Sequence, residues 1–125
     1  MGKAKRPRER WKDDPEEHDF PAAADYLSLG YAEAVSSAIV DALHNAPTTH
    51  RKAKDLLRAA RLVLLAKDDP EVARDLQKVA RGEALSPVLL VRGTPLIVAD
   101  GYHRICASYQ LDENTDIPCR LVDLP

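Results

Sequence analysis

The feature that most constrains the fold is a change in apolar spacing at Ser86-Pro87. Before this point, apolar residues recur largely at helical intervals. After it, 88–91 and 96–99 are continuous apolar runs separated by a short turn that contains Gly93. Two such runs joined by a short glycine-containing turn predict a β-hairpin. A helical first half followed by a hairpin predicts an α+β fold.

The N-terminal half is predicted to be helical over residues 21–60. A short amphipathic stretch over 22–27 is interrupted by Gly30, and apolar residues from Tyr31 to Leu43 then fall on one helix face. Thr49 is predicted to cap a further helix, whose buried stripe runs from Ala53 to Ala60.

Residues 61–82 are predicted to form a strand and a helix. The apolar run 61–66 is typical of a strand. Asp69 is a suitable N-cap, Pro70 is the first helical residue, and Gly82 ends the helix.

The C-terminal third is predicted to be a strand–helix–strand unit. Asp100-Gly101 closes the second hairpin strand, a helix runs from about Tyr102 to Gln110, and a last strand covers 117–122. The predicted fold is α+β: a small mixed sheet with a hairpin and this C-terminal unit, preceded by N-terminal α-helices.

The charge distribution predicts two parts. Residues 1–12 hold six basic residues and one acid, a charge of +5, so the other 113 residues sum to −7 in a chain of net charge −2. We expect residues 1–20 to be a flexible arm of basic and mixed charge, and residues 21–125 to form one domain. Lys54, Arg58 and Arg61 line one helix face, read either as a solvated face or as an extension of a phosphate site.

Several classes of protein are not expected. No apolar run approaches the roughly 20 residues that span a bilayer, and no apolar segment follows the basic N-terminus as in a secretory signal. Two cysteines, Cys106 and Cys119, suit a reducing compartment, so we expect a cytoplasmic protein. The four histidines show no metal-site spacing, and no structural metal is expected.

The segment that could carry chemistry is Asp100-Gly101-Tyr102-His103-Arg104. Gly101 permits a sharp or positive-φ turn, and the helix that follows offers unpaired amides and the positive end of its dipole to an anion. Arg104 can hold phosphate oxygens, His103 can donate a hydrogen bond, and Asp100 can assist a metal ion. The alternative is a structural turn in which Arg104 pairs with a nearby acid. If Arg104 were held in an internal ion pair and a side chain filled the turn at Gly101, the hypothesis of a phosphate site would fail. Only the fold prediction would then remain.

The order of these elements, with Pro87 before the first hairpin strand and Gly-x-His-Arg-x-x-Ala at 101–107, resembles the ParB/sulfiredoxin superfamily. The resemblance covers roughly residues 60–122, so that 61–125 would be the family-like core. It implies that Gly101, His103 and Arg104 contact the phosphates of a nucleotide, with Asp100 and Tyr102 beside them. The cofactor implied is a Mg²⁺-nucleotide, ATP or CTP.

The chain also departs from the family. The catalytic cysteine of sulfiredoxins lies where this chain has Tyr102, and a phenol cannot replace a thiolate nucleophile, so sulfiredoxin activity is not expected. We read Cys106 as a packed core thiol. ParB proteins carry a helix-turn-helix domain after this fold, and only three residues follow Val122 here, so we do not expect that module.

Three functions remain open at this point. The first is nucleotide binding, with slow hydrolysis or phosphotransfer as an added activity. The second is a non-catalytic interaction module that pairs with another protein or forms a homodimer through its N-terminal helices. The third is a nucleic-acid accessory protein that uses the basic arm. The sequence favours the first.

Overall fold

The computed structural model describes residues 9–125. Five helices lie between six short strands in this part of the chain. In chain order they are β1 (Arg10–Trp11), α1 (Asp19–Leu27), α2 (Glu33–Asn45), β2 (Thr49–Lys52), α3 (Ala53–Ala60), α4 (Pro70–Ala80), β3 (Ala84–Leu85), β4 (Val88–Val91), β5 (Ile97–Asp100), α5 (Tyr102–Leu111) and β6 (Asp116–Val122).

The main sheet is mixed, and its strand order is β2-β6-β4-β5. Strands β4 and β5 form the predicted antiparallel hairpin, whereas β4 and β6 pair in parallel. Parallel neighbours need a crossover connection, and α5 lies within the connection from the hairpin to β6. The fold is therefore α+β with a strand–helix–strand C-terminal unit, as predicted.

Helices cover both faces of this sheet, because β4 is apolar at every position. Val88 and Leu90 pack into a core cluster with residues of α3, α4 and α5. Leu89 and Val91 point the other way and pack with residues of α1 and α2. Side chains alternate between the two faces of a strand, so a run of four apolar residues joins two helical layers.

Helix α4 confirms the most detailed local prediction. Asp69 Oδ1 accepts hydrogen bonds from the backbone N–H groups of Glu71, at 3.0 Å, and Val72, at 3.1 Å. Pro70 is the first helical residue, and Gly82, with φ of 76°, follows the end of the helix. A side-chain cap and a positive-φ glycine fix the two ends of this helix through local contacts.

Two local predictions are wrong. Residues 61–66 form no strand: Arg61 adopts φ of 55° at the end of α3, and the run then crosses the surface with Val63 75% exposed. Thr49 is no helix cap but begins β2, which pairs with β6 at a sheet edge, so Lys52 is the residue that precedes α3. The edge of the sheet beside β6 is therefore formed by 49–52 and not by 61–66.

The structure also differs from the predicted flexible arm over residues 9–20. Arg10 and Trp11 pair in parallel with β3, and Lys12 N–H donates to the Leu85 carbonyl at 2.8 Å. Glu9 accepts a hydrogen bond from Ser108 of α5, and α1 already begins at Asp19, so this part of the arm is fixed to the domain. The first eight residues of the predicted arm lie outside the described residues.

None of the helices in the described part of the chain combines the length and apolar character that crossing a membrane requires.

Candidate functional site

The candidate site begins at Gly101, where β5 passes into α5. Its φ is 112°, and a Cβ at this position would lie 2.4 Å from Val88 Cγ1 and 2.9 Å from Arg104 Nη2. Only a glycine meets both requirements, the left-handed backbone and the close approach. No side chain caps the start of α5, and its first turn contains no acidic residue. The positive end of this helix is therefore available to an anion.

A polar cleft of about 190 Å³ opens at this helix start. It is called the α5 cleft below. Its charged lining comes from four elements of sequence: the segment before α1, helix α4, the end of β5 and the first turn of α5. The ionisable side chains are Glu16, His18, Glu71, Asp75, Lys78, Asp100, His103 and Arg104. Four carboxylates thus face two fixed cations and two imidazoles, so the cleft as a whole is acidic.

Arg104 lies at the centre of this charge network. Its Nη2 donates to Asp100 Oδ2 at 2.8 Å, and its Nη1 donates to Ser86 Oγ at 2.7 Å. The Asp19 carboxylate lies 3.6 Å from Nη1. Only 15% of the Arg104 side chain is exposed, and its Nε is buried without a partner. The guanidinium therefore ties α1, β5 and the segment before β4 to α5.

The Asp100 carboxyl feels opposing influences. Burial raises its pKa, the neighbouring Arg104 opposes that rise, and the Asp19 carboxyl adds to it. A buried carboxylate beside a second one is less stable in its charged form, whereas the guanidinium favours it. Asp100 therefore accepts a hydrogen bond from Arg104, and the net effect of its surroundings is to raise its pKa.

The remaining predicted residues divide between two sides of α5. His103 lines the α5 cleft and also an adjoining hollow of about 310 Å³ beside α1. Tyr102 lines that hollow and not the α5 cleft, and its hydroxyl donates to the Val63 carbonyl. Of the five predicted residues, Asp100, Gly101, His103 and Arg104 come together in the α5 cleft, and Tyr102 does not line it.

Sequence reasoning missed most of the wall opposite α5. Asp75 and Lys78 occupy one face of α4 and line the α5 cleft, and burial raises the pKa of Asp75. Glu71 lies one helical turn before Asp75, so the spacing of the charged residues in the sequence could have shown that they share one face of α4. Asp19 carried no such signal, because it reaches Arg104 from 85 positions earlier in the chain.

The structural alternative predicted from the sequence, in which Arg104 pairs with a nearby acid, is present in the structure. Of the two observations that together would exclude a binding site, however, only this ion pair is found. Arg104 is held in an internal ion pair, while the corner beside it is an open cleft rather than one filled by a side chain. Cys106 is fully buried, and burial raises the pKa of its thiol, which opposes a nucleophilic role.

No group of three potential ligands among His, Cys, Asp and Glu is placed to hold a metal ion within residues 9–125. Comparison with protein-family models, with curated proteins and with solved structures found no match for this chain.

Proposed function

We propose that this chain is a ParB/sulfiredoxin-like protein that binds the phosphates of a Mg²⁺-nucleotide, ATP or CTP, in the α5 cleft. The observation that carries the proposal is the uncapped start of α5, which opens into a polar cleft next to Arg104 and His103. A helix N-terminus with an arginine and further N–H donors beside it is a recurring arrangement for phosphate.

The acidic lining explains why the ligand would carry a metal ion. A bare triphosphate would meet four carboxylates in the α5 cleft. A divalent cation that arrives with the phosphates reduces this repulsion, and carboxylate oxygens such as those of Asp100 are the ligands that Mg²⁺ prefers. Lys78, His103 and the amides of α5 would hold the phosphate oxygens. Arg104 would contribute N–H groups that Asp100 and Ser86 leave free.

Calorimetric titration of the chain with Mg-ATP and with Mg-CTP tests the proposal. Lys78→Ala and His103→Ala should each weaken binding about fivefold, the loss expected for one phosphate contact. Asp75→Asn should strengthen binding by a similar factor, because it removes a negative charge from the cleft wall. Lys67→Ala, which changes an exposed cation outside the cleft, is the matched control.

The proposal fails if neither nucleotide binds at millimolar concentration, or if all three cleft variants bind like the unaltered chain. Release of inorganic phosphate in the same samples separates a binding domain from a slow hydrolase, and formation of nucleoside diphosphate without free phosphate would indicate phosphotransfer. Asp100 and His103 are the groups that would move a proton in such a reaction.

The proposal extends to partners and location. Tyr26, in the last turn of α1, and Leu29, just after this helix, are 54% and 85% exposed beside a hollow of about 430 Å³. These exposed apolar side chains support a homodimer through the N-terminal helices. Light scattering at rising concentration tests this.

Two buried free thiols, Cys106 and Cys119, support a cytoplasmic location. A nucleic-acid role through the basic arm is not favoured, because the rest of the chain is acidic.

A further inference from the structure

A second groove lies between α3 and the C-terminal part of α5. Its volume is about 270 Å³, and no residue that lines it lines the α5 cleft. Lys54, Arg58 and Arg61 form its charged edge, and Leu62, Leu64 and Tyr109 form its apolar floor. It is called the basic groove below.

The cations of the basic groove are free of internal partners. Elsewhere in residues 9–125, five arginines each lie within 4.0 Å of a carboxylate, namely Arg74, Arg81, Arg92, Arg104 and Arg120. Within residues 9–125, no carboxylate lies within 4.0 Å of the side-chain nitrogens of Lys54, Arg58 or Arg61. Residues 51–61 hold five basic residues and one acid, a charge of +4 in a chain whose total is −2.

The apolar floor is exposed and yet fixed in place. Leu64 is 37% exposed, and it belongs to the surface segment 61–66. Two side chains of α5 hold the backbone of this segment: Tyr102 donates to the Val63 carbonyl, and Gln110 donates to the Leu65 carbonyl. The exposed leucine is therefore presented on a pinned segment next to unpaired cations.

We propose that the basic groove binds an acidic peptide segment of a partner protein. One apolar side chain of that segment rests on Leu62, Leu64 and Tyr109, and its flanking carboxylates meet Lys54, Arg58 and Arg61. Complementary charge at the edge sets orientation and encounter rate, and the apolar anchor supplies the buried contact.

The floor distinguishes a peptide from a nucleic-acid strand. Proteins that bind single strands stack successive bases on several aromatic rings. The basic groove contains one ring, Tyr109, beside aliphatic side chains. This surface suits an aliphatic side chain better than a row of bases.

Fluorescence anisotropy with the full chain tests the proposal. The probe is a short fluorescein-labelled peptide in which glutamates flank a single leucine. Its comparators are the same peptide with serine in place of leucine and an oligothymidylate of equal formal charge. We expect saturable binding of the leucine peptide that is tighter than binding of either comparator.

Two variants assign the binding to this surface. Arg58→Glu with Arg61→Glu should weaken the leucine peptide by about tenfold or more. Leu64→Ser should weaken the leucine peptide by about threefold and leave the serine peptide unchanged. Arg81→Glu with Arg92→Glu reverses the same total charge at two exposed sites outside the groove and serves as the matched control. Circular dichroism confirms that each variant keeps its helices.

Three results overturn the proposal. One is the absence of saturation by the leucine peptide up to about 1 mM. Another is equal or tighter binding of oligothymidylate, which would assign the groove to nucleic acid. The third is a control variant that weakens the leucine peptide as much as the groove variant does. Because the nucleotide titrations concern another surface, their failure leaves this result intact.

Discussion

The α5 cleft contains an arginine that is paired with a carboxylate inside the protein, whereas the basic groove contains arginines that are not. In the cleft, Arg104 is 15% exposed and contacts Asp100 and Ser86 at 2.8 Å and 2.7 Å. In the groove, Arg58 and Arg61 are exposed and contact no carboxylate of the described chain. An arginine that is already paired contributes first to the fold, and a ligand must share or displace its partner. An unpaired arginine at the surface is available to a ligand without that cost.

This contrast changes what the motif around Gly101 means. Its glycine is required by the backbone and by the approach of Arg104, and its arginine connects four parts of the chain. Both residues therefore have structural reasons to be present, whatever the cleft binds. A test of the comparison must separate loss of structure from loss of binding.

The largest effect is expected at Gly101. Gly101→Ala places a Cβ 2.4 Å from Val88 Cγ1 and forces a side chain onto a residue with φ of 112°. Strained backbone and overpacking together should lower the free energy of unfolding by about 3 kcal/mol in urea denaturation. Gly82→Ala is the control, since φ is 76° there but nothing lies within 4 Å, and it should cost about 1 kcal/mol. Equal losses would show that the close packing at Gly101 is unimportant.

The second effect concerns the ion pair in the α5 cleft. Arg104→Ala leaves the Asp100 and Asp19 carboxyls without their cation and should lower stability by about 2 kcal/mol. Arg92→Ala removes the exposed pair with Asp123 and should cost under about 0.5 kcal/mol. Thermal and urea unfolding measure both. A cost for Arg104→Ala as small as that for Arg92→Ala would mean that the pair is not a structural connection, and the comparison would fail.

These contacts also show what the sequence could predict. Helix α4, the hairpin β4–β5, helix α5 and strand β6 follow from signals within a few residues, such as the Asp69 cap. Strand β2 carries no apolar alternation and owes its state to pairing with β6, in which Cys119 pairs with Thr49 from 70 positions later in the chain. The run 61–66 has strand-like composition, but it pairs with no strand and crosses the surface instead. Likewise, Asp100 was visible next to Arg104, whereas Asp19 and Ser86 reach it only through the fold.

A third effect follows from the acidity of the α5 cleft wall. Burial raises the pKa of Asp75 above its ordinary value of 3.8, so its ionised form is less stable in the folded state than in the unfolded one. The penalty is present above the raised pKa and disappears below the unfolded value, where both states are protonated. Asp75→Asn should therefore raise the free energy of unfolding at pH 7 and leave it unchanged near pH 3. Urea unfolding at both pH values measures this, and a loss of stability at pH 7 would show that attraction to Lys78 outweighs burial.

The smallest effect is expected in the basic groove. Arg58 has no carboxylate partner and is exposed, so Arg58→Ala should change the free energy of unfolding by less than about 0.5 kcal/mol, while it weakens the acidic leucine peptide. Arg104→Ala should do the reverse: it should cost stability and leave peptide binding unchanged. Urea unfolding and peptide anisotropy on the same two proteins give the comparison directly. A destabilisation by Arg58→Ala as large as that by Arg104→Ala would show that the groove cation is also structural, and the distinction between paired and available arginines would no longer hold.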